Sequence, residues 1–183
     1  MTLFGTTSTF GIECEITFRQ DESWTYGHIR MWADANPIGD YEDSTYLRAC
    51  LNWLTNFHSY ANVRCEPSLD NKSKEEVFRL LFDSCMLTIP EGVGFLEFVP
   101  EESEELGAAR LAYPQARERF HLDDVGMSSF YDKWNVILVE KSDRVQRLIW
   151  RNLKDMQIHE ALLPPGRFED VAAQFITWTS ASL

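Results

Sequence analysis

Two long alternations near the start of the chain restrict its fold more than any other feature. Phe10, Ile12, Cys14, Ile16 and Phe18 alternate with Glu13, Glu15 and Thr17. Successive side chains of a strand point to opposite faces, so this is a half-buried strand with the first set inward and the second outward. Gln20 to Ser23 reads as a turn, and Trp24 to Asp34 as the antiparallel return. On the return, Trp24, Tyr26, His28, Arg30 and Trp32 share one face. Thr25, Gly27, Ile29, Met31 and Ala33 take the other. Pro37 and Gly39 then break the strand.

Helical periodicity follows. Leu47, Cys50 or Leu51, Leu54 and Phe57 recur at helical spacing, with Asp43 or Ser44 as cap and Glu42 and Asp43 near the positive end. Ser68 to Lys74 is polar and reads as a loop. Ser73 with Glu76 matches a capping box, and Val77, Phe78, Leu81, Phe82 and Cys85 form the stripe behind it. Residues 92–100 are strand-like. Glu101, Glu102, Glu104 and Glu105 follow in a run that reads as a solvated loop. Residues 108–117 are ambiguous between short helix and irregular chain, and 119–122 read as strand. Trp134–Glu140 and Gln146–Asn152 form a hairpin, 156–163 a third strand, and Pro164, Pro165 and Gly166 stop it. Phe168, Val171, Ala172, Phe175 and Trp178 mark a last amphipathic helix with Glu169 and Asp170 in its first turn. The expected architecture is α+β: one domain over residues 1–183, an antiparallel or mixed β-sheet with about three helices packed on it.

Charge narrows the function. The chain has 17 basic and 29 acidic residues, a formal net charge of -12. Phosphate contacts need a basic stripe, so a nucleic-acid partner is disfavoured, and so is an anionic membrane surface. A basic protein partner suits the balance; solubility alone explains it too. No secretory signal is visible, no apolar run is long enough to span a membrane, and Cys14, Cys50, Cys65 and Cys85 are scattered like reduced thiols. A cytoplasmic protein is expected.

Catalytic signatures are sparse. There is no G-x-S-x-G elbow, P-loop or G-x-G-x-x-G, and His28, His58, His121 and His159 lack metal-ligand spacing. His121 with Asp123 and Asp124 is the most enzyme-like patch, though the same residues make an ordinary turn. Cys85 is a nucleophile only with a histidine beside it. Asp40, Glu42 and Asp43 do not match a calcium loop. Clustered carboxylates beside large aromatics are what recognition of a basic protein uses. The alternative is that the aromatics are core and the acids a cap.

Phe4-Gly5, Phe10, Ile12, Glu13 and Glu15, then Trp24, Tyr26, Gly27 and Ile38 to Glu42, form a pattern that resembles the immunity protein 42 family of bacterial polymorphic toxin systems. Gln146 to Trp150 and the closing LPPGRFEDVAAQFITW are also similar to its members. Cys14 and the glutamate run at 101–105 depart from the pattern. The resemblance implies a small cytosolic antidote that binds a cognate toxin domain, with no cofactor and no catalytic residue; the residue spacing itself leads to the expectation of no metal. It carries over no contact residues. Charge and exposure select Asp40, Glu42, Asp43, Glu101, Glu102, Glu104 and Glu105 for steering, and Trp24 or Tyr26 as an anchor. A small enzyme built on His121, Asp123 and Asp124, or an adaptor without a toxin partner, are the competing readings.

Overall fold

The computed structural model describes residues 1–19, 24–85, 104–122 and 133–183. The expected turn at 20–23, the expected strand at 92–100, and Glu101, Glu102, Asp123 and Asp124 lie outside the described residues.

The class is α+β, and every strand pair in its sheets is antiparallel. The strands divide between two sheets. In the N-terminal sheet, β1 (Thr2–Gly5), β2 (Phe10–Arg19), β3 (Thr25–Ala33) and β4 (Asn36–Ile38) pair in sequence order, and the short β5 (Thr45–Tyr46) also pairs with β3. The C-terminal sheet has the order β6 (Trp134–Glu140), β7 (Gln146–Asn152), β8 (Ile158–Leu163). Helices α1 (Leu47–Ser59) and α5 (Arg167–Ser182) pack along each other and over the inner face of the N-terminal sheet. Helices α2 (Lys74–Leu81), α3 (Glu104–Ala112) and α4 (Ala116–Phe120) gather on the C-terminal sheet.

Strand parity explains where the core lies. Phe10, Ile12 and Cys14 face Ala33, Met31 and Ile29 across the β2–β3 ladder, and all six are fully buried. They join Leu47, Cys50, Leu54 and Phe57 of α1, Phe168, Val171, Ala172 and Phe175 of α5, and one face of the C-terminal sheet through Val136, Leu138, Leu148 and Trp150. The opposite face of that sheet, Ile137, Val139 and Ile149, packs on Val77, Phe78, Leu81 and Phe120. Both faces are covered, which is why β6 and β7 read as nearly continuous apolar runs. Gly27 belongs to the packing of α1 against β3. A Cβ there would collide with the Glu15 carbonyl oxygen and crowd Leu47 Cδ1.

Several expectations are corrected. The alternation of β2 breaks at a bulge. Ile16 pairs with Gly27 but Phe18 pairs with Tyr26, so one extra residue is inserted and Phe18 turns to the outer face, 55% exposed. Neither Asp43 nor Ser44 caps α1. The helix begins after Tyr46, whose backbone is tied into the ladder with Tyr26, and its first turn holds no acidic residue. The run at Glu104 and Glu105 is the first turn of α3, not a loop. Of the strand expected at 119–122, Arg119 and Phe120 instead close α4, where Ala116 and Phe120 sit one turn apart and are both buried, while His121 makes an isolated antiparallel bridge to Ile137. The loop expected at Ser68–Lys74 begins within a 3-10 turn, Pro67–Leu69, and ends on the first residue of α2, but the capping box of Ser73 and Glu76 forms in both directions, β6 and β7 have the expected bounds, and β8 starts two residues later than expected.

A buried polar network joins the layers. Arg64 is 1% exposed. Its Nη1 donates to Glu169 Oε1 at 2.6 Å, its Nε to the Arg119 carbonyl at 3.0 Å and its Nη2 to the Phe57 carbonyl. Burial pulls its pKa down to about 10 against the opposing pull of Glu169. The other Glu169 oxygen accepts from Gln146 Nε2, and Gln146 Oε1 accepts the Phe168 N–H at 2.9 Å. Helix α5 has no side-chain cap of its own, so β7 supplies one.

Candidate recognition face

The outer face of the N-terminal sheet is built by the residues that parity turns away from the core. On β3 these are Tyr26, His28, Arg30 and Trp32, all half-buried. Glu13 stands opposite Arg30 and Glu15 opposite His28. Arg30 Nε and Trp32 Nε1 both donate to Glu13 Oε2, at 2.6 and 2.8 Å. Glu13 is therefore buried despite facing outward. Burial works against its charge, but the bonds from Arg30 and Trp32 outweigh it and hold its pKa below the ordinary glutamate value. The Arg30 guanidinium lies over two rings, Trp32 at 4.5 Å and Tyr41 at 4.6 Å.

The segment after β4 folds back across this face. Tyr41 packs on His28 with ring centroids 5.4 Å apart, and His28 Nδ1 donates to the Asp43 carbonyl at 3.2 Å. Lys133 Nζ bridges Asp40 Oδ2 at 2.8 Å and Asp43 Oδ2 at 2.7 Å. The ammonium lowers the Asp40 pKa, and the two carboxylates raise that of Lys133. One cation thus offsets part of the charge on this pair, while Glu42 stays exposed. A cleft of about 640 Å³ opens beside them, lined by Arg30, Tyr41, Asp40, Lys133, Trp134 and Leu153 among others.

At the other end of the face the bulge assembles an aromatic patch. Phe18 and Trp24 are exposed, Tyr26 and Tyr46 half-buried. Trp24 stacks on Tyr26 with centroids 6.5 Å apart and lies 5.2 Å from Tyr46, and Phe18 lies 6.5 Å from Tyr26. Trp24 and Tyr26 were expected from the sequence; Phe18 and Tyr46 were not. Tyr46 could have been found only by knowing that Thr45–Tyr46 pairs with β3.

The structure does not gather all the candidate acids. Asp40, Glu42 and Asp43 lie over the N-terminal sheet. Glu104 and Glu105 lie on α3, which packs against α2 in the other core cluster. Glu105 is paired with Arg79 at 2.5 Å, and Glu104 is exposed.

The enzyme-like patch fares differently. His121 is 1% exposed, its Nε2 is 2.8 Å from the Leu81 carbonyl and its ring stacks on Phe82 at 4.7 Å. That imidazole is committed to packing rather than to an open pocket. Burial pushes the Cys14 thiol up to about 12 and the Cys50 thiol up to about 11, and it also raises Cys85, which opposes thiolate formation. Among the described residues no group of three or more His, Cys, Asp or Glu is placed to hold a metal ion, and no helix is long and apolar enough to cross a membrane.

A family model described as immunity protein 42 matches residues 1–178. The chain belongs to the immunity protein 42 family. Members of such a family neutralise toxins of polymorphic toxin systems and are typically non-enzymatic inhibitors. No curated protein and no solved structure matches the chain. In this immunity protein 42 member, many carboxylates, cations and rings of the outer face are held by one another, while Glu42, Phe18 and Trp24 are exposed.

Proposed function

We propose that the protein neutralises its cognate toxin in the cytoplasm by forming a direct stoichiometric complex, and that the toxin is basic. The observation that carries the second part is the net charge of -12, with Glu42 and Glu104 exposed. A strongly acidic surface attracts a basic partner at a distance and raises the association rate. Asp40, Asp43 and Glu105 contribute less to that field than Glu42 and Glu104, because Lys133 and Arg79 sit on them. Glu101 and Glu102 extend the acidic set in sequence. Trp24 and Tyr26 supply contact area on the outer face of the N-terminal sheet.

This reading expects a toxin gene next to this one, and co-expression with its product tests the function: cells survive with the antidote and die without it. The steering is read from association rates at several salt concentrations. The double variant Glu42→Lys, Glu104→Lys associates about 3- to 10-fold more slowly at low salt, with a shallower salt dependence. An unchanged rate refutes the basic partner while leaving neutralisation intact.

A further inference from the structure

We infer that the ring patch of Phe18 and Trp24 anchors a basic segment of the cognate toxin, an inference that rests on the function proposed above. The β2 bulge is the starting point. In an unbroken strand Phe18 would join Ile16 on the inner face; the inserted residue moves it outward, opposite Tyr26. Phe18 is left 55% exposed and Trp24 47% exposed, beside the half-buried Tyr26 and Tyr46. Large apolar side chains displayed together on an otherwise charged surface mark an interaction site.

Charge selects the occupant. A second copy of this chain carries the same net charge of -12, and like charge opposes its approach. A basic partner is favoured instead. Exposed aromatic faces accept guanidinium and ammonium groups, and this face already shows the chemistry where Arg30 lies over Trp32 and Tyr41. Glu15, half-buried on the same outer face opposite His28, adds a carboxylate to it, with the N-terminal ammonium 3.7 Å from its Oε1. Aromatic residues carry a disproportionate share of interface energy, and their loss appears in the dissociation rate. The acids therefore set how fast the toxin arrives and the rings how long it stays.

The test uses the full chain and a catalytically inactivated form of the toxin encoded beside it. Phe18→Ala and Trp24→Ala each speed dissociation, the double variant by about tenfold or more, while association stays within about twofold. Trp24→Phe, which keeps a ring face, stays within about threefold of the wild type, whereas Trp24→Leu falls with the alanine variant. Leu162→Ala, an exposed leucine of β8 (64% exposed), changes nothing. Thermal melts of all variants overlay the wild type, which excludes misfolding as the cause. Unchanged dissociation in both alanine variants overturns the anchor, and a Trp24→Leu variant equal to wild type overturns the cationic occupant. A wild-type dimer dissociated by Trp24→Ala in sedimentation would assign the patch to self-association and overturn both. If the wild-type chain binds no toxin at all, the underlying function falls with the inference; binding with insensitive rings sinks the inference alone.

Discussion

Of the two sheets, the N-terminal one buries Ile12, Ile29 and Met31 on one face and turns Phe18, Tyr26, His28 and Arg30 outward on the other. The C-terminal one buries Val136 and Leu148 on one face and Ile137 and Ile149 on the other. The first is a wall with an outside; the second is an internal partition. A covered strand has every substitution tested against packing, whereas an outward face can vary without disturbing the core. On the function proposed above, the lasting contact with a partner falls to the N-terminal sheet, whereas the C-terminal sheet joins the layers.

The largest effect expected from this contrast is at the network that binds the partition to the helices. Glu169→Ala leaves Arg64 buried with its charge unpaired and also frees Gln146. Urea unfolding should show a loss of about 3 kcal/mol, since breaking a buried ion pair costs more than the pair contributes. A loss below about 1 kcal/mol would mean that the two remaining carbonyl bonds satisfy Arg64 unaided.

Next comes the difference between the faces themselves. Ile149→Ala, in the middle of the partition, should lose about 2 to 5 kcal/mol to lost burial and a residual cavity. Phe18→Ala, a larger truncation on the outer face, should stay within about 0.5 kcal/mol. Comparable losses at both positions would erase the distinction.

Acid separates the same regions with opposite signs. The folded-state pKa of Glu13 is lowered, so its contribution is present above the unfolded value of 4.5 and is lost as pH falls through the folded value. Glu140 at the end of β6 is raised, chiefly by burial. Arg144 Nη1 lies 2.9 Å from its Oε1 but makes no hydrogen bond to it. Its ionised form costs stability at neutral pH, and that cost fades as pH drops through the raised value toward 4.5. At pH 7, Glu13→Gln should lower the melting temperature, equivalent to about 1 to 2 kcal/mol. Glu140→Gln should raise it slightly; that difference should shrink as pH falls toward 4.5, and the Glu13 difference only below 4.5. Shifts of the same sign at pH 7 would show that the two carboxylates do not differ in this way.

Much of the partition was legible in the chain itself. Trp134–Glu140 and Gln146–Asn152 have the expected ends because an apolar run stops abruptly at Lys141-Ser-Asp-Arg-Val, and a turn is a local property. The Ser73–Glu76 box was equally local. The outer face was harder. The parity of β3 was readable, but the bulge in β2 was not, since Phe18 continues the alternation and only its pairing with Tyr26 reveals the shift. Asp43 looked like a helix cap because its real partner, Lys133, is 90 positions away. Arg64 gave no signal, because its partners Arg119 and Glu169 are far along the sequence.

That distance has a consequence for how the chain is made. A protein leaves the ribosome from its N-terminus, so Arg64 appears long before Glu169. Until α5 emerges, Arg64 must remain in water or enter an apolar interior without its counterion. Closure of the core around Arg64 therefore waits for α5.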